Sequence, residues 1–228
     1  VAASLVLAWG CRSVSTVNPD ATHLASPWAH ESAVGDSAWL PFVLPGKRAS
    51  TFTYVRKDGR DAISAKANSS ASMLRSAVRI EPAQLGLVQF SWKVPALIAD
   101  ADMALRDLDD SPVRIVLAFD GDRSRLSSRF QSMSEMARAL TGEELPYATL
   151  MYVWCNQREP GSVIVNPRTD RIRKLVVESG VRNLNQWQDY QRNVRADYVR
   201  AFGEDPGALI GIGIMTDSDN TRSATAAW

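Results

Sequence analysis

The chain has 228 residues, of which 45% are hydrophobic and 22% charged, the balance of an ordinary globular protein; wholesale disorder and a bundle of membrane helices are excluded. Its 26 basic and 25 acidic residues leave a net charge of +1 with no long run of one sign, so the sequence lacks the basic stripe of a nucleic-acid-binding surface. Length favours a single domain with a core of its own.

Val1 to Gly10 (VAASLVLAWG) form an apolar run too short to span a bilayer and suited to the core of a secretory signal. Ala8 and Gly10 before Cys11 resemble a bacterial lipoprotein cleavage site, with Cys11 as the residue that carries the lipid, although bulky Trp9 departs from the usual small residue. A plain signal peptide, or a buried N-terminal segment that happens to contain a Cys, is the alternative. On this reading residues 1–11 are a signal-peptide remnant, 12–37 a linker rich in Ser, Thr, Ala and Pro, and 38–228 one domain, truncated at its C-terminus. The protein is then expected to be exported, in the periplasm or tethered to the outer membrane, with a lipid anchor as its only membrane contact.

From Thr51 onward short runs alternate with period two. Phe52 and Tyr54 alternate with Thr51, Thr53 and Val55, and Asp58-Gly59 predicts a two-residue hairpin turn into Arg60 to Lys66. Further strands are expected over Leu74 to Ile80, Val88 to Val94, Val113 to Phe119, Tyr147 to Cys155, Ser162 to Val165, Arg171 to Glu178 and Ala208 to Met215. Between two of them, the acidic segment from Ala96 to Ser111 is long for a loop inside a compact domain and is a candidate rim for a binding face. Leu126, Phe130, Met133, Ala137 and Leu140 recur at helical spacing from Ser124 to Gly142; Trp187, Tyr190, Val194, Tyr198 and Ala201 predict a second helix ending at Gly203. Strands in series with two late helices, and no strict βαβ alternation, predict a mainly β fold: an antiparallel sandwich, jelly-roll-like, with two inserted α-helices.

Several phrases carry a family resemblance. They are FSWKVP from Phe90, DDSPVR from Asp109 leading into LAFD, Val176 to Gly180 (VVESG), WQDYQRNVRADYVRAFGEDP from Trp187, and IMTDSDNT from Ile214. Over residues 90–228 the chain resembles a bacterial family defined only as a domain of unknown function, number 3047 in its series. The resemblance implies an exported β-rich protein and carries no catalytic residues with it.

Candidate chemistry is concentrated in loops. Asp217, Asp219, Asn220 and Thr221 follow a buried strand and offer several oxygens from one tight turn, which suits a hard cation, calcium being the cofactor such a set admits though the fold requires none; Asp and Asn are also common turn residues. Asp120-Gly121-Asp122 ends another strand, and these carboxylates are candidates for acid and base in glycan cleavage, with a turn and helix cap as the plainer reading. Tryptophan faces stack on sugar rings when exposed and fill core when buried, so Trp92 and Trp154 join Arg192 and Asn220 as candidate ligand-binding residues, although alternation groups Trp92 with Val88 and Phe90 on a core face. Both histidines, His23 and His30, lie in the linker and Cys155 in an apolar strand, which argues against a Ser-His-Asp or Cys-His relay.

These features predict a binding protein of the cell envelope that recognises a polysaccharide or similar polar envelope polymer, and no nucleic acid. A carboxylate-dependent glycan hydrolase or lyase and a structural subunit of an envelope assembly are the alternatives.

Overall fold

The computed structural model describes residues 39–228. The strands in chain order are β1 (Leu40–Val43), β2 (Thr51–Lys57), β3 (Arg60–Asn68), β4 (Ala71–Ile80), β5 (Leu87–Trp92), β6 (Ser111–Phe119), β7 (Ala148–Cys155), β8 (Val163–Val165), β9 (Ile172–Ser179), β10 (Gln188–Asn193), β11 (Leu209–Asp217) and β12 (Ala224–Ala227). Helix α1 (Ser128–Thr141) lies between β6 and β7, and α2 (Val194–Phe202) between β10 and β11.

Seven strands form one sheet in the order β1-β4-β11-β6-β7-β9-β8, antiparallel except for the parallel pair β7 and β9. The remaining strands form β12-β3-β2 and β10-β5. Lys93 and Trp228 exchange backbone hydrogen bonds at 2.8 and 3.0 Å, and this reciprocal pair stitches the two smaller pieces into a second layer, β2-β3-β12-β5-β10. The fold is thus mainly β and sandwich-like, as alternation predicts.

The Asp58-Gly59 turn joins β2 to β3 as expected, with both residues at positive φ (51° and 80°), the requirement of a type I′ turn that matches strand twist. Helix α1 starts one turn later than predicted: Ser127, not Ser124, caps it by accepting from the Phe130 amide, while Asp122 caps a separate 3-10 turn over Arg123–Arg125. Leu140, expected on the buried stripe, is exposed. The second helix is shorter than its periodicity suggests. Trp187 and Tyr190 precede or belong to β10, which pairs with β5 from Gln188↔Trp92 to Asn193↔Leu87, and Asn193 then caps α2 by accepting from the Ala196 amide.

The seven-stranded sheet is buried on both faces. Toward the second layer it presents Leu117, Phe119, Leu150, Tyr152, Trp154, Leu175 and Val177, which meet Trp92 and Val94 together with Val194, Tyr198 and Ala201. Its outer face carries Val116, Met151, Val153, Cys155, Val176 and Met215, sealed by Met103 from the 96–110 segment. That segment is pinned in place: the Asn156 side-chain amide donates to the carbonyls of Ile98, Ala99 and Ala101, and Arg158 forks onto Asp102 at 2.5 and 3.1 Å. A long acidic loop over a sheet face is stable here because its backbone acceptors have side-chain donors beneath them.

At the far end of the sheet, Gly207 passes so close to β6 that a Cβ on it would lie 2.1 Å from the Asp120 carbonyl oxygen. Backbone cannot retreat as a side chain can. Gly207→Ala should therefore destabilise the domain by about 1–3 kcal/mol, read as a lowered urea midpoint; an unchanged midpoint would show that the two segments can part freely.

Candidate functional site

Alternation along three strands, β6, β9 and β11, places Arg114, Lys174 and Asp217 on the outer face of the seven-stranded sheet, each two residues from an apolar neighbour there (Val116, Val176 and Met215). Asp109, from the end of the covering segment, bridges two of them: its Oδ2 accepts from Lys174 Nζ at 2.6 Å and its Oδ1 from Arg114 Nη2 at 3.1 Å. Arg114 Nη2 also lies 3.1 Å from Asp217 Oδ2, and Lys174 Nζ donates to the Met103 carbonyl. All four side chains are nearly or fully buried. Burial works against charge on Arg114, but the carboxylates of Asp109, Asp217 and Asp110 outweigh it and hold the guanidinium charged. For Lys174 burial and the nearby guanidinium prevail over Asp109, and its ammonium is pushed down to about 8.

The loop after β11 is clamped onto the same end of the sheet. Asp110 accepts from the backbone amides of Asn220 and Thr221 and from the Thr221 hydroxyl, at 3.2, 2.7 and 2.6 Å, while the Asn220 side chain donates to the Asp109 carbonyl at 3.1 Å. Asp219 faces the ammonium of Lys47. Burial raises Asp217 well above the usual carboxylate range; burial alone would raise Asp219 too, but Lys47 and the neighbouring Asp217 carboxyl hold it low. Two phrases far apart in the chain, DDSPVR and TDSDNT, thus form one ionic cluster.

The predicted site residues separate into those the fold gathers and those it does not. Asp217, Asp219 and Asn220 belong to the cluster. Asp120 and Asp122 lie at the opposite end of β6 and β11: the register pairs Asp217 with Ser111 but Leu209 with Phe119, a separation of roughly 27 Å for eight strand steps. No cleft brings the two acidic loops together as acid and base. Asp120 accepts from the Gly121 amide and Asp122 from the amide and hydroxyl of Ser124, so both act as turn and cap residues.

Trp92 and Trp154 are each 1% exposed in the inter-layer core and offer no face to a sugar. Arg192 grips Asp197 through Nε and Nη2 at 2.9 and 2.5 Å, beside the Tyr152 hydroxyl that donates to the same carboxylate, and does not reach the Asp217 loop. Cys155 is a free, buried thiol in β7. Cys11, His23 and His30 lie outside the described residues.

Two other tryptophans occupy the solvent side of the second layer. In β10 the inward positions are Gln188, Tyr190 and Arg192, which leaves Trp187 and Asp189 outward; Trp228 follows inward Ala227 and is outward too. Both residues are partly exposed, with the Trp187 indole nitrogen itself buried. Lys57 Nζ sits 4.7 Å from the Trp228 ring centre and the Arg60 guanidinium 5.2 Å from that of Trp187. Arg60 forks onto Asp189 at 2.5 and 3.2 Å, the Ser91 hydroxyl donates to the same carboxylate, and Lys93 pairs with Asp58 at 2.6 Å. The same face continues into an open trough of about 560 Å³ floored by small residues of β12, among them Ala224 and Ala226, and bordered by Arg48, Thr51, Lys66 and Asn68. The period-two signal for this face was present at Trp187, where spacing to Tyr190 and Val194 fits a helix equally well, and at Trp228 it was too short to read.

Fold and site together define a β-sandwich domain with one polar, aromatic outer face and an ionic cluster buried under the other. Residues 37–228 match the family described as proteins of unknown function, DUF3047, and the chain belongs to that family. No curated protein matches it. Among the described residues no helix is long and apolar enough to cross a membrane.

Proposed function

We propose that this domain is an exported binding module of the cell envelope that takes a polysaccharide or similar polar polymer on the outer face of its second layer. The observation that carries this reading is the pair of partly exposed tryptophans, Trp187 and Trp228, set among Lys57, Arg60, Lys93 and Asp189. An indole offers a flat apolar surface to the CH groups of a sugar ring, while charged forks beside it accept and donate to hydroxyls and acidic substituents. The trough leading away from the rings is open, as a chain-like ligand needs. Export rests on the Val1 to Cys11 segment of the sequence.

The test is binding of the purified chain to a glycan array and to isolated cell-wall polymer. Micromolar binding is expected, with Trp228→Ala and Trp187→Ala each weakening it about 30-fold, the effect of removing an anchor worth ~2 kcal/mol. Absence of binding at tens of micromolar to every polymer offered, or binding unchanged in both variants, rejects this face as the site.

A further inference from the structure

The cluster at the end of β11 contains a contact between like charges. Carboxylate oxygens of Asp110, Asp217 and Asp219 lie within 4.8 Å of one another. Asp217 is the most constrained of the three: its side chain is 8% exposed, its Oδ2 faces Arg114, and its buried Oδ1 makes no hydrogen bond. None of the basic groups nearby donates to that oxygen. Lys174 is held by Asp109 and the Met103 carbonyl, Arg114 by Asp109 and the far oxygen of Asp217, and Lys47 by Asp219, with Arg168 acting on Asp219 at longer range.

An orphaned buried carboxylate oxygen beside other carboxylates costs several kcal/mol unless a positive species lies between them. A carboxyl–carboxyl contact is attractive only with a proton or a cation in it. The backbone amides of Asn220 and Thr221 and the Thr221 hydroxyl bond Asp110, so the loop is preorganised and the three acids cannot drift apart to relieve repulsion. Oxygen-only donors, with no histidine or cysteine among them, suit a hard ion over zinc or copper.

We infer that Asp110, Asp217 and Asp219 together hold a divalent cation, with calcium the ion that three loop carboxylates of unequal burial suit best. Lys47 is the internal competitor: its ammonium lies on the Asp219 carboxylate with the side chain 30% exposed, so it can turn out to water as the ion enters. The inference is independent of the ligand face, which lies on the other layer.

Calorimetric titration and thermal unfolding of the whole chain, stripped with chelator and then given CaCl₂, test it. Saturable binding is expected, with Tm raised by about 5 °C or more when calcium exceeds its Kd 100-fold. Asp219→Asn, on the less buried side of the site, should weaken binding at least tenfold; Lys47→Ala, by removing the competing charge, should tighten it severalfold. The assignment is overturned if millimolar calcium gives no saturable binding to either the wild type or Lys47→Ala, if NaCl of equal ionic strength raises Tm equally, or if Asp219→Asn binds calcium as the wild type does. In any of these cases a shared proton, and no metal, joins Asp217 to Asp219.

Discussion

Asp109→Ala should lower the free energy of unfolding by about 3–5 kcal/mol, the range for leaving a buried charge without its partner, read from the urea midpoint with an unchanged m-value. Asp109 is the hinge of the ionic cluster, because its two oxygens serve Lys174 at 2.6 Å and Arg114 at 3.1 Å. Removing it leaves Lys174 with the Met103 carbonyl as its remaining hydrogen-bond acceptor and Arg114 with Asp217 as its remaining salt-bridge partner. Lys174→Met is the informative contrast: the apolar side chain suits the Met151 and Met103 surroundings, and Asp109 keeps Arg114 and the amide of Asn166, so a smaller cost is expected. Equal costs for the two variants would remove Asp109 from its central position.

The same lysine sets an alkaline pH dependence. Its ammonium is held at about 8, below the ordinary 10.5, so between those values the unfolded chain binds the proton more tightly than the native one, and stability rises with pH. Relative to Lys174→Met, the wild type should gain about 2 kcal/mol between pH 8 and pH 10. The comparison with the variant is needed because Asp217, raised by burial, acts in the opposite direction: its contribution is present while the carboxyl is protonated and fades as pH rises through its folded value. No gain over that window relative to Lys174→Met would mean that Lys174 titrates normally.

Trp92→Ala is the second large effect, expected at about 3–5 kcal/mol. Trp92 is 1% exposed and touches Phe90 and Tyr190 edge-on, with ring centres 5.1 and 5.4 Å away, and Trp154 at 6.3 Å. Phe90 stacks in turn on Tyr152 of the opposite sheet at 5.5 Å. This aromatic group is where the two layers grip, and its loss opens a cavity that rigid strands on both sides cannot close. Trp187→Ala, on the solvent side of the same layer, should cost far less stability while affecting binding. The pair of variants separates core from surface tryptophan by thermal unfolding alone.

The longer runs were legible from the sequence: β4, β5 and β6 by alternation, β7 and β11 as buried apolar runs, together with β9 and the Asp58-Gly59 hairpin with its two positive-φ residues. What escaped were the short strands β1 and β12, four residues each, which exist only because a longer neighbour offers a ladder. The junction at β10 and α2 was misread because Trp187, Tyr190, Val194 and Tyr198 satisfy both periods, and only the Asn193 cap and the pairing with β5 decide between them. Of the candidate site, Asp217, Asp219 and Asn220 could be named from local composition. Asp109, Arg114 and Lys174 could not: each sits in or beside an apolar run, and charge buried under a covering loop is a tertiary fact. Trp92 and Trp154 were the candidates for an aromatic face, but burial assigns both to the core and leaves Trp187 and Trp228 partly exposed.

Six residues separate the end of β11 at Asp217 from the start of β12 at Ala224. Within them the Ser218 amide donates to the Ser70 carbonyl, the Ser223 amide to the Ser218 carbonyl, and the Ser69 amide to the Ser223 carbonyl, so the chain crosses from one layer to the other on a short, doubly tied bridge. Asp217 stands at one end of it and the strand that leads to Trp228 begins at the other, so the buried ionic cluster of the first sheet and the outer face of the second are neighbours along the chain as well as partners across the core.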